Sequence, residues 1–308
     1  MSYRKRREVI AGALAAFAGG LALARAMSGP AQTGSDVRAG APRGGATETI
    51  RFGTTPVFLD EQVGVLERWQ RLLGRQLGRR VVFISRARYR EMVDALLADE
   101  IELAWLCGYP LVRYAERLKP VLAPRYDGAP RYRSLLIQRD DRAPVRHVSE
   151  LQGSVFAYSD PLSNSGYLVP RVELIMRGHD PERFFRRTFF TYGHRKVIEA
   201  VREGLAEAGA VDGYVWDTLA AQQPRAVKGT RVVWRSRPFV FPPIVVRRSL
   251  DSATERALVA ALRSMGESAE GGAILAALNL EGFSSVALSD FADIASMAQL
   301  HARRRQGA

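Results

Sequence analysis

Phe156-Ala157-Tyr158-Ser159-Asp160-Pro161-Leu162-Ser163-Asn164-Ser165-Gly166 runs from an apolar strand, through a polar turn, into a helix-period segment. Val155–Tyr158 reads as a buried strand, because apolar residues stand together between polar flanks. Ser163–Arg177 reads as a helix opened by the residue types that cap N-termini. One cap requires one such residue. Ser163, Asn164 and Ser165 supply three, so the turn has hydroxyl, amide and N–H groups left over for an anion. A strand feeding a helix through such a turn is the repeating unit of an open α/β sheet, whose ligands sit outside the carboxyl ends of the strands.

Outward from this unit the chain repeats the alternation. Thr49–Gly53, Val81–Ile84 and Leu103–Leu106 read as strands. Helical patterns lie between them over Glu61–Leu77, with Val65, Leu66, Trp69, Leu72 and Leu73 on one side, and over Tyr89–Leu97. Val121–Tyr126 and Ser134–Gln138 are expected to complete a first sheet. Past a short helix at Val148–Leu151, a second unit has strands at Val155–Tyr158, Thr188–Thr191 and Ala208–Val211. Its helices are Ser163–Arg177, Lys196–Glu203 and Tyr214–Gln222. Val232–Trp234 and Ile244–Val246 lead back, and helices close the chain near Ala253–Met265, Gly272–Leu278 and Leu288–Ala302. Two successive, mostly parallel α/β units predict a two-lobed α/β fold with crossovers near Arg139–Ala143 and Ser236–Pro242. The lobes are then 48–138 with 243–308, and 139–242, their strand ends facing one cleft.

Composition narrows the function. At 47% hydrophobic and 25% charged, the 308 residues are those of a globular protein. A net charge of +13 suits an anionic partner. No basic stripe interleaved with aromatics appears, so no nucleic-acid partner is expected. A single cysteine excludes an internal disulfide and a multi-thiolate metal site. His147, His179, His194 and His301 are scattered, so neither metal nor cofactor is expected. Ser163 or Ser165 with His194 and Asp212 has the residue types of a nucleophile triad. There is no G-x-S-x-G elbow, so catalysis is not expected; a monomer is expected.

Residues 1–26 read as an export signal: Arg4 to Arg7, an apolar stretch from Val9 to Leu23, and an A-x-A site at Ala24-Arg25-Ala26. Arg6-Arg7 fits the twin-arginine type, with an ordinary secretion signal as the alternative. Residues 27–47 read as a flexible leader rich in Gly, Ala and Pro. No cysteine follows the apolar stretch, so a lipoprotein anchor is excluded and a periplasmic location is expected. Arg303-Arg304-Arg305 reads as a solvated tail.

Four strand ends converge on the predicted cleft: Gly53-Thr54-Thr55-Pro56, Cys107-Gly108-Tyr109, the serine turn, and Gly193-His194 with Asp212-Gly213-Tyr214. Thr54 and Thr55 offer hydroxyls. His194 can donate to an oxyanion, or can cap a helix. Cys107 is either a small core hydrophobe or a soft ligand in the cleft.

The run Phe156 to Pro161, the Ser163-Asn164-Ser165-Gly166 turn, Gly193-His194 and Ala210-Val211-Asp212 are together similar to the phosphonate-type (PhnD-like) periplasmic solute-binding proteins. The resemblance extends from about Ile50 to Val246. It implies two α/β lobes closing on an oxyanion, with Ser163, Asn164 and Ser165 as its binders and Tyr109, His194 and Asp212 as further cleft residues. The return crossover, Phe239-Val240-Phe241-Pro242-Pro243, lacks the carboxylate that aminophosphonate binders place there. Cys107 resembles the single cysteine of arsenite-sensing periplasmic proteins (the AioX type). Two readings follow. In one, Cys107 holds arsenite and the closed protein signals to a sensor histidine kinase. In the other, the protein delivers phosphate, phosphite or a phosphonate to an ABC permease.

Overall fold

The computed structural model describes residues 49–55 and 63–306; the expectations for residues 1–48 lie outside them. The strands are β1 (Ile50–Thr54), β2 (Val81–Ser85), β3 (Leu103–Trp105), β4 (Leu118–Arg125), β5 (Arg131–Tyr132), β6 (Ser134–Arg139), β7 (Val155–Tyr158), β8 (Arg187–Phe190), β9 (Ala208–Asp212), β10 (Thr230–Arg235), β11 (Phe239–Val240), β12 (Ile244–Arg247) and β13 (Gly282–Ser285). The α-helices are α1 (Val63–Leu77), α2 (Tyr89–Leu97), α3 (Gly108–Arg113), α4 (Val169–Met176), α5 (His194–Arg202), α6 (Gly213–Gln222), α7 (Pro224–Val227), α8 (Ser252–Arg263), α9 (Ala269–Ala277) and α10 (Ala292–Gln306).

These strands form two α/β lobes. The first sheet has the order β13-β4-β12-β3-β1-β2, the second β10-β6-β9-β7-β8. In each, the strands that alternate with helices pair in parallel, β1 with β2 and β3, and β7 with β8 and β9. The rest are antiparallel, so the sheets are mixed where the sequence predicted mostly parallel ones. The reason is the crossings: a chain returning from the other lobe enters its sheet from the opposite end, as β12 does beside β3 and β4.

One strand is reassigned. Ser134–Arg139, expected to finish the first sheet, pairs with β9 and β10 in the second. The outgoing crossing therefore lies between β4 and β6, at residues 126–133, and not at Arg139–Ala143. An apolar run such as Leu135-Leu136-Ile137 fits a central strand of either sheet, and only pairing chooses. The return crossing runs between β10 and β12. The two crossings pair with each other as a short antiparallel ribbon, Tyr132 opposite Phe239 and Arg131 opposite Val240.

Packing follows the periodicities. α1 buries Trp69, Leu72 and Leu73, and Trp69 meets Phe52 edge-on with ring centroids 5.4 Å apart. The helix ends at Gly78, whose φ of 60° is left-handed and cheap only for glycine. In the second lobe Phe156 stacks on Phe185 at 4.5 Å. Between the sheets Trp105, Tyr126, Tyr132, Tyr214 and Phe241 form one aromatic cluster, Tyr214 and Phe241 lying 5.1 Å apart. Arg303 to Arg305, expected in a tail, extend α10 to Gln306, where cations complement the negative end of the helix dipole.

Candidate functional site

The serine turn departs from an ordinary helix start. Asn164–Leu168 is a single π-type turn, with Leu168 N–H donating to Ser163 O at 3.0 Å, and α4 begins only at Val169. The turn folds back against the end of β7. Ser159 N–H donates to Gly166 O, and a Cβ on Gly166 would lie 1.9 Å from Ser159 Oγ, so only glycine allows this approach. Ser163 Oγ accepts from Gly166 N–H at 2.9 Å, which makes Ser163 the cap. Ser134 Oγ fixes the turn from β6, donating to Ser165 O at 2.6 Å.

With the cap assigned, the remaining side chains are left over. Asn164 donates from Nδ2 to Tyr132 Oη at 3.0 Å, but its Oδ1 is buried without a partner among the described residues. Ser159 Oγ is likewise buried without a hydrogen-bond partner among the described residues, and Ser165 Oγ, also buried, meets the Tyr132 hydroxyl. Burying polar atoms unpaired costs about 1–3 kcal/mol each. Their concentration at one turn marks a place built for something other than the protein's own groups.

The first lobe meets this turn directly. Cys107 ends β3 and precedes α3, and its Sγ accepts the Asn164 N–H at 3.1 Å. Burial pushes the thiol up to about 11, even though the N–H groups of Asn164 and Tyr109 pull it down. Tyr109 is buried, with the Arg113 guanidinium 5.7 Å from its ring; its resolved contribution here is that N–H. Thr54 and Thr55 are both buried at the end of β1. Thr55 Oγ1 donates to Trp105 O at 3.1 Å and hydrogen-bonds the Tyr89 hydroxyl.

Two more second-lobe strand ends complete the wall. Asp212 caps α6, accepting Tyr214 N–H at 2.9 Å, and burial lifts its carboxyl to about 8. It is therefore largely protonated at neutral pH. His194 opens α5, and its Nδ1 accepts the Asp212 N–H at 3.1 Å. Burial lowers it to about 3, so the ring is neutral and its proton stands on Nε2. His194 Nδ1 accepts the Asp212 backbone N–H and so carries no proton to give the Asp212 carboxyl, the contact that would orient a charge-relay histidine.

Sequence reasoning missed Tyr132, Ser134, Tyr89 and Asp160. Ser134, expected in the first lobe, stands in the second, and Tyr132 lies in the crossing that joins the lobes. Asp160 crosses the cleft: its Oδ2 accepts the N–H of Tyr89, first residue of α2, at 3.2 Å, and its Oδ1 that of Leu162 at 2.7 Å. Arg88, the N-cap of α2, makes no side-chain cap, so the carboxylate of the other lobe supplies one. The lobes are further tied by Tyr214 Oη donating to Leu278 O at 2.5 Å and by Arg88 over the Tyr192 ring at 4.6 Å.

Two α/β lobes, a paired two-strand connection and a polar turn enclosed where the lobes meet define a type II binding protein. Residues 52–291 match the family of ABC transporter phosphonate periplasmic substrate-binding proteins, and the chain belongs to that family. It is 24% identical over 246 residues to the phosphonates-binding periplasmic protein of Escherichia coli (strain K12), covering 77% of this chain and 72% of that protein. To the phosphate-import protein PhnD of Mycolicibacterium smegmatis it is 25% identical over 224 residues, 68% of this chain and 70% of the relative. Among solved structures, a binding-protein component of an ABC phosphonate transporter from Pseudomonas aeruginosa superposes with a TM-score of 0.77 at 22% identity, covering 84% of this chain and 88% of that one. PhnD1 of Prochlorococcus marinus, in complex with methylphosphonate, superposes with a TM-score of 0.74 at 17% identity over 82% of this chain and 97% of that one.

Proposed function

We propose that this protein is the binding component of an ABC transporter for a small phosphorus oxyanion: phosphate, phosphite or a simple phosphonate. Ser159 Oγ and Asn164 Oδ1, buried and unpartnered among the described residues, with the buried Ser165 hydroxyl beside them against Tyr132, carry the reading. The hydroxyls donate to anionic oxygens, and Asn164 Oδ1 accepts from a protonated one. His194 Nε2–H and the protonated Asp212 carboxyl are further donors on the same wall, while Thr54, Thr55 and Tyr109 belong to the facing lobe. The set contains neutral donors and no lysine or arginine, which suits an anion held by many short hydrogen bonds.

In this reading the lobes part at residues 126–133 and 236–243, the paired ribbon is the hinge, and ligand stabilises the closed form by binding groups of both lobes. An ABC permease receives it. The export signal of residues 1–26, of twin-arginine or ordinary secretion type, delivers the protein to the periplasm.

A second reading rests on one contact. Cys107 Sγ touches the turn itself, so arsenite that exchanged a hydroxyl for this sulfur would sit on the same N–H groups, with a sensor histidine kinase as receiver. Calorimetric titration of the reduced protein and its Cys107→Ser variant with methylphosphonate, phosphite, phosphate and arsenite decides. Phosphorus oxyanion binding retained by the variant is the expected result. Arsenite binding abolished by it, with no phosphorus ligand bound, would replace the first reading by the second.

A further inference from the structure

Helix α10 touches both lobes. Near its start Ile294 packs against Gly108 of α3; near its end His301 is buried against α4, where Arg171 Nε donates to His301 Nε2 at 2.9 Å. Arg171 is itself buried and also pairs with Glu182. These two residues floor a surface groove of about 520 Å³, lined besides by Asp180, Glu182, Arg183, Arg304 and Arg305. Four arginines face two carboxylates, and burial with the adjacent Arg171 lowers His301 to about 4, keeping it neutral.

The cations are unequally committed. Arg171 is spent on His301 and Glu182, so a small anion entering the groove finds no free buried donor. Arg304 and Arg305 are exposed at the rim and make no ion pair among the described residues. Arg183 reaches Asp180 only at 3.9 Å. Free cations spread along a rim, over a floor made where α10 meets α4, fit an extended chain bearing several carboxylates.

We propose that this groove is the surface on which an acidic segment of the membrane-bound receiver docks. The proposal rests on the transporter reading. Its floor depends on the α10–α4 contact, so the groove is complete only with the lobes arranged as described, and the docked segment thereby reads the closed form.

The test uses the intact protein and a fluorescein-labelled hexaglutamate peptide, followed by anisotropy at about 0.15 M salt, where diffuse surface attraction is screened. Arg304→Glu with Arg305→Glu, both exposed, is expected to weaken the peptide about tenfold or more. The equal charge change Arg256→Glu with Arg263→Glu, exposed on α8, is expected to leave it unchanged. Equal losses in both pairs, or no loss in either, would overturn the proposal. So would displacement of the peptide by stoichiometric pyrophosphate, which would make the groove a small-anion site. Methylphosphonate and phosphate titrations on the same proteins separate the two readings. Peptide selectivity without oxyanion binding leaves the groove standing and removes the transporter reading; oxyanion binding without peptide selectivity does the reverse.

Discussion

The backbone N–H of Asn164 donates to Cys107 Sγ across 3.1 Å, so a sulfur at a strand end of one lobe sits on the first turn of a helical segment in the other. Two effects compete on that thiol. N–H groups at a helix start favour thiolate, burial disfavours it, and burial wins, lifting the group to about 11.

Cys107 is therefore expected to resist alkylation. At pH 7 a thiol at about 11 is ionised in about one molecule in ten thousand, and the side chain is 3% exposed. Iodoacetamide labelling followed by mass spectrometry should be slow at pH 7, slower still with oxyanion bound, and should rise towards the free-cysteine rate in denaturant. Labelling at the free-cysteine rate in the native, ligand-bound protein would contradict the closed geometry.

Ser165→Ala should weaken oxyanion binding without weakening the fold. A hydrogen bond to a charged group contributes about 1.5–3 kcal/mol, which is roughly a ten- to hundredfold loss in affinity. Within the protein the Ser165 hydroxyl meets that of Tyr132, so its removal is expected to change the melting temperature by no more than a few degrees. A large drop in melting temperature would show that Ser165 serves the fold instead.

Asp160→Ala should open the protein. It removes the side-chain cap that α2 receives at Tyr89, at a cost of about 1 kcal/mol to the closed form because that partner lies in the other lobe. The Leu162 N–H loses its acceptor in open and closed forms alike. Oxyanion affinity should fall about fivefold. The radius of gyration measured by small-angle scattering should rise; an unchanged radius would place the interaction outside closure.

Stability should depend on pH through Asp212. Its carboxyl is raised by burial from 3.8 to about 8, so the folded state holds the proton more tightly than the unfolded one. Such a group contributes stability in full below its unfolded pKa, and the contribution is lost as pH rises through the folded value. Wild type should lose stability between about pH 4 and pH 8, and Asp212→Asn should lose less over that window. His194 and His301, lowered to about 3 and about 4, titrate alike in both proteins and cancel from the difference. Parallel pH profiles from thermal denaturation at pH 5 and pH 8.5 would remove Asp212 from this role.

The sequence by itself determined the two α/β lobes, most of the element bounds, and the family that the ordered motifs of residues 156–166, 193–194 and 210–212 resemble. Those are local properties: hydrophobic period, capping chemistry and strand-to-helix order are written in neighbouring residues. It also named Cys107, Asn164, Ser165, His194 and Asp212 as candidates, because strand ends are recognisable one at a time. The tertiary structure alone decided which sheet took Ser134–Arg139, and with it the place of the crossing and the presence of Tyr132 and Ser134 at the turn. It alone separated Ser163, which caps, from Ser165, whose hydroxyl meets Tyr132 of the crossing, and brought Asp160 to the start of α2 seventy-one positions away in sequence. Pairing and hydrogen-bond partners across such separations depend on which surfaces meet, and no local pattern in the chain encodes that meeting.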